Sequence, residues 1–97
     1  MAVSRPSQQG FLDRHKKRVP LAGDRDNVNL TFSAPEIFLA GTEEVFRNGV
    51  LLDEGVDEDY TLGESAGPGT GYDTIILTPG AGLWPWEKLL ANYVIPA

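Results

Sequence analysis

Apolar and polar residues alternate strictly from Asn27 to Phe32, where Val28, Leu30 and Phe32 interleave with Asn27, Asn29 and Thr31. That period of two is the mark of a strand with one face on a core. Ser33-Ala34-Pro35 interrupts it, and Ile37-Phe38-Leu39 forms a second short apolar segment closed by Gly41. Asn48-Gly49 then stands between Val45-Phe46 and Val50-Leu51-Leu52. An Asn-Gly pair with apolar flanks predicts a two-residue hairpin, because both central residues of a type I′ turn need positive φ. Antiparallel strands are therefore expected over about 43–47 and 50–53. Tyr60-Thr61-Leu62 and the β-branched run Thr74-Ile75-Ile76-Leu77-Thr78 predict two more. Residues 87–95 read as a strand, with Leu89, Ala91, Tyr93 and Ile95 on one face, or as a short helix through Leu89, Leu90 and Tyr93; the strand is favoured.

Between these pieces lie turn signals. An acidic stretch holds Asp53, Glu54, Asp57, Glu58 and Asp59, a glycine-rich loop spans 63–73, and Leu83-Trp84-Pro85-Trp86 forms an aromatic loop. The predicted fold class is all-β: a small antiparallel β-sandwich or meander, with an extended N-terminal arm. The arm is residues 1–26, which lack a clean period, and the β-domain is residues 27–97. A short helix over 11–18 is the other reading of the arm, ended by Pro20.

Composition sharpens this picture. Ninety-seven residues allow one core, and 11 glycines with 7 prolines suit short elements and tight turns. No cysteine is present, which removes disulfides and thiolate metal sites. Apolar runs reach only three or four residues, too short for a membrane helix, and the first residues lack a signal-peptide core. Synthesis inside the cell, without membrane attachment, is the expectation.

The net charge of −6 is unevenly spread. Residues 1–25 carry Arg5, Arg14, Lys16, Lys17, Arg18 and Arg25 against Asp13 and Asp24; residues 26–97 carry twelve acids against Arg47 and Lys88. The acidic body repels phosphates and argues against nucleic acid as the partner. The run Arg14-His15-Lys16-Lys17-Arg18 could touch phosphate, but no aromatic platform accompanies it, and docking on an acidic protein neighbour is the stronger reading. Phe11, Leu12, Val19 and Leu21 are the candidate apolar anchors of that contact, with Arg14, Lys16, Lys17 and Arg18 as its charges. Trp84 and Trp86 are either an interface anchor or sugar platform, or rings folded over the end of the core.

Catalytic chemistry finds little footing. The lone His15 has no evident acid partner. The acidic turn lacks the EF-hand spacing, and Gly67-Pro68-Gly69-Thr70-Gly71 lacks the Lys-Ser/Thr and the following helix of a phosphate loop. No enzymatic activity, cofactor or metal is expected.

Leu30-Thr31-Phe32, Ala34-Pro35, Val45-Phe46-Arg47-Asn48-Gly49, Val50-Leu51-Leu52, Gly55 with Asp59-Tyr60-Thr61, and Thr74-Ile75-Ile76-Leu77-Thr78 follow one another in a recognisable order. That order resembles a short β-module of bacteriophage and prophage tail-fibre and other virion structural proteins. The resemblance implies a non-enzymatic virion component, present in many copies and associating with other virion proteins and with itself. A chain of this length suits a small accessory subunit of the tail, neck or capsid surface. A carbohydrate- or receptor-binding module working through Trp84 and Trp86 is the alternative.

Overall fold

The predicted alternation resolves into seven strands in the structure, a computed structural model that describes residues 14–96. They are β1 (His15–Pro20), β2 (Thr31–Phe38), β3 (Glu44–Arg47), β4 (Val50–Leu51), β5 (Tyr60–Gly63), β6 (Tyr72–Leu77) and β7 (Leu89–Val94). Two antiparallel sheets, ordered β1-β7-β3-β4 and β2-β6-β5, pack as a sandwich. Every second residue of β7 points inward, so Leu89, Ala91 and Tyr93 meet Phe32, Phe38, Tyr60, Ile75 and Leu77 from the other sheet. The Phe38 and Tyr93 rings bridge the sheets with centroids 5.1 Å apart. Burial of these side chains is the main drive for folding, at about 1.5–3 kcal/mol each.

Both buried tyrosines keep a polar exit. The Tyr60 hydroxyl donates to Glu43 Oε2 at 3.0 Å, and the Tyr93 hydroxyl donates to Glu36 Oε1 at 2.9 Å. Burial first, then the adjacent carboxylate, pushes the ionisation of each phenol well above its ordinary value.

The hairpin lies where Asn-Gly places it. Asn48 (φ 52°) and Gly49 (φ 86°) both occupy the left-handed region, and Arg47 pairs with Val50. At the C-terminal end the strand reading holds. β7 lies between β1 and β3, so both of its edges are hydrogen-bonded.

Two expectations are corrected. The first concerns the alternating run from Asn27. The Asp26 carboxylate accepts the N–H groups of Val28 (2.9 Å) and Asn29 (2.8 Å), which turns the chain there and leaves Val28 77% exposed. β2 begins later, at Thr31, and continues through the Ser-Ala-Pro break. Pro35 is tolerated because β2 is an edge strand and its register against β6 shifts between Ser33 and Phe38.

The second concerns the N-terminal boundary. Within the described residues, the segment assigned to an arm is part of the sandwich, and it is a strand rather than a helix. β1 pairs with β7, and Leu21 is 2% exposed in the core, its N–H bonded to the Leu89 carbonyl. One residue on, Ala22 exchanges two 2.8 Å hydrogen bonds with Ser33, so the chain crosses from one sheet to the other at Leu21-Ala22. The sequence hid this strand because a bulge with Arg18 at φ 53° breaks the alternation and its charges face solvent at a sheet edge.

Two measurements check these points. Gly49→Val should lower stability by about 1–3 kcal/mol, since a β-branched residue at positive φ is strained. The space around Gly49 is open, so the backbone alone carries that cost. An unchanged melting temperature would mean that the turn is not formed this way. Leu21→Ala should cost about 2–5 kcal/mol, and removal of residues 1–25, which deletes β1 and Leu21, should unfold the domain. A cooperative melt retained by the shortened chain would return residues 14–25 to the status of a detachable arm.

Candidate functional site

The aromatic loop is held by one side-chain pair. Arg47 ends β3, and its Nε and Nη2 donate to Glu87 Oε2 and Oε1 at 3.1 and 2.8 Å, a two-pronged contact. Nη1 donates to the Ala81 carbonyl at 2.7 Å, and Nη2 also donates to the Gly82 carbonyl at 3.1 Å. Glu87 in turn accepts the Trp84 N–H at 2.9 Å and the Asn48 side-chain amide at 3.1 Å. Asn48 also clasps Lys88, its side-chain oxygen taking the Lys88 N–H and its own N–H reaching the Lys88 carbonyl, both at 2.9 Å. The turn residue chosen for its φ therefore has a second role, in fixing the neighbouring loop. These hydrogen bonds, from Arg47 above all and then from the Trp84 N–H, hold the Glu87 carboxyl down at about 2 against an ordinary 4.5.

Within the loop, Leu83 drops into the core and is fully buried. Its carbonyl accepts the Asn27 N–H at 2.8 Å. Gly82 lies so close to Asn27 that a Cβ there would stand 2.6 Å from the Asn27 carbonyl carbon. A hydrogen-bonded turn from Trp84 to Glu87 then sends the indoles outward. Trp84 is 44% exposed and Trp86 74%, and their rings stack with centroids 5.4 Å apart and planes 3° from parallel. Of the two readings of this loop, the core cover is supplied by Leu83, and the tryptophans form an exposed flat platform.

The other candidate residues separate by environment. Lys17 and Arg18 are exposed on β1, and Arg14 and Lys16 are half-buried. Val19 is half-buried and packs against the core, and Leu21 is inside it, which takes Leu21 out of reach of a partner. Phe11 and Leu12 lie outside the described residues. His15 is exposed on β1. In the acidic turn, Asp59 is occupied in accepting the Asp53 N–H at 2.8 Å, and among the described residues no three histidines or carboxylates converge as a metal site. In the glycine-rich loop the Gly71 N–H is taken by Glu64 at 2.9 Å, a carboxylate where a phosphate loop would leave its donors open.

One surface escaped the sequence reading. In antiparallel strands, directly opposed residues share a face. Pro20 opposes Leu90, Leu90 opposes Phe46, and Phe46 opposes Leu51, which draws an apolar row across the outer side of all four strands. One row further along, Asn92 opposes Glu44 and accepts the Arg18 N–H at 2.8 Å. A depression of about 440 Å³ lies among Arg18, Phe46, Gly49, Leu90 and Asn92. The signal was present as apolar doublets, Val45-Phe46 and Leu89-Leu90, in which one side chain enters the core and its neighbour faces out. Comparison with protein-family models, curated proteins and solved structures finds no match to the chain.

The Arg47–Glu87 clasp has a pH signature. A carboxyl whose pKa is depressed in the folded state contributes stability above its unfolded pKa and loses it as pH falls through the folded one. The contribution of Glu87 is thus full above about 4.5 and fades toward about 2. Glu87→Gln should lower the melting temperature at neutral pH and converge with the parent as pH falls through that window. Arg47→Ala should also erase the exciton couplet of the stacked indoles in circular dichroism. An equal melting-temperature gap at pH 7 and pH 2 would remove the clasp from the account.

Proposed function

We propose that this protein is a non-enzymatic structural subunit of a bacteriophage virion, a small multi-copy accessory component of the tail, neck or capsid surface. It is made in the host cytoplasm and works by docking on other virion proteins through its basic N-terminal region. The observation that carries the reading is the placement of charge: Lys17 and Arg18 stand exposed on an edge strand, while the remainder of the chain is strongly acidic. Such a bipolar surface favours contact between copies or with acidic neighbours. The resemblance of residues 27–78 to a virion β-module supports the same reading.

The stacked tryptophans favour a second reading, a carbohydrate- or receptor-binding module. A sugar ring packs on a flat indole face, and Trp86 leaves most of its surface open. Trp84→Ala with Trp86→Ala should abolish glycan or cell-surface binding and spare incorporation into particles if that reading is right.

The main reading is tested with an antibody to the chain on purified virions and by co-sedimentation at low and high salt. Labelling in many copies is expected, with attachment that weakens as salt rises, because exposed charge contacts are screened beyond about 10 Å at 0.1 M. Deleting residues 1–13, which keeps all seven strands, should reduce attachment. Absence of the chain from mature particles would overturn the assignment.

A further inference from the structure

We propose that the outer face of the four-stranded sheet is a self-association surface, on which two copies meet about a two-fold axis running along β7. The inference rests on the multi-copy reading above and names the surface that serves it. The apolar row Pro20, Leu90, Phe46 and Leu51 is uncovered by any other element among the described residues, with Leu51 53% exposed. Pro20 and Leu51 are exposed, and Phe46 and Leu90 are half-buried and line the depression; an apolar row of this kind is a feature of binding surfaces.

The occupant follows from the charges beside the row. Arg18, Asn92 and Glu44 stand side by side on β1, β7 and β3. β1 and β3 flank β7, so a two-fold axis parallel to the strands and centred on β7 lays β1 of one copy over β3 of the other. Arg18 then faces the second copy's Glu44 twice, once on each side of the axis. In the adjacent row Pro20 meets the second copy's Phe46, and Leu90 meets Leu90. Across β1, β7 and β3 the face is self-complementary in both rows, as an isologous interface requires, and Leu51 on β4 lies outside the overlap. Among the described residues Arg18 makes no ion pair within its own chain. The Arg18 backbone is fixed through its N–H to Asn92, so changing its side chain leaves the strand pairing in place.

Sedimentation equilibrium of the full chain tests this. The parent should dimerise, and Phe46→Ser should weaken the dimer roughly tenfold or more, as loss of a central aromatic anchor does. Arg18→Glu and Glu44→Arg should each be monomeric alone where the parent is dimeric, with parent-like melting temperatures. Mixed in equal amounts they should form a heterodimer, because each of the two cross-axis pairs is then again of opposite charge. A parent that stays monomeric, single variants that dimerise like the parent, or a mixture that fails to recover the dimer would each overturn the proposal. So would loss of the dimer on deleting residues 1–13, which would make that segment the occupant of the face. A monomer still found in virions would overturn this surface and leave the structural role standing; a dimer absent from virions would do the reverse.

Discussion

The carboxylate of Glu87 is the point on which the arrangement of this sandwich turns. The chain leaves β6 in one sheet and enters β7 at the centre of the other, and the connection between them has no regular structure of its own. Arg47 and Asn48, at the end of β3 and in the following turn, take hold of that connection at Ala81, Gly82, Glu87 and Lys88. The crossing is thereby fixed to the end of an interior strand of the very sheet it must join. β7 enters in register between β1 and β3, Leu83 is directed into the core, and the Trp84-Pro85-Trp86 segment is left outside. The pair is partly exposed, with side-chain accessibilities of 25% and 13%, so solvent and salt screen it. Its value lies in geometry: the planar guanidinium satisfies two carbonyls and a carboxylate at once, which a lysine could not do.

A second constraint works from the other end of the chain. The crossing at Leu21-Ala22 ties the first strand to β7 through one hydrogen bond and to β2 through two more. The two sheets are therefore joined covalently and by hydrogen bonds at Leu21-Ala22, and by side-chain clasps at the aromatic loop. Between them, the Tyr60 and Tyr93 rings fill the interior while their hydroxyls reach Glu43 and Glu36 at the margin, so neither ring leaves a buried polar atom unpaired.

The same framework sorts the surface into regions of different chemistry. The charges of β1 discourage uncontrolled pairing along an otherwise open sheet edge. The broad side of that sheet carries an apolar row with opposite charges next to it, and the far loop carries two stacked indoles.

Much of the architecture was legible in the sequence. Asn48-Gly49 determined its turn locally, because few residues other than Asn and Gly adopt positive φ in succession. The β-branched run 74–78 and the alternation in 89–95 determined strands through side-chain preference and period. Tertiary structure alone decided the rest. The basic segment became a strand because β7 offered an open edge, a fact that lies some seventy residues away in the chain and leaves no local period once a bulge intervenes. Pro35 was absorbed into β2 because that strand is at an edge, which no neighbouring residue announces. The outward aim of Trp84 and Trp86 depended on Leu83 taking the core position and on Arg47 holding the loop from another strand. The apolar row exists only through register, since Pro20, Phe46, Leu51 and Leu90 are scattered in sequence and become neighbours when four strands align. Local conformational preference is written in adjacent residues; a shared surface is written in pairing, and pairing is settled by the whole core.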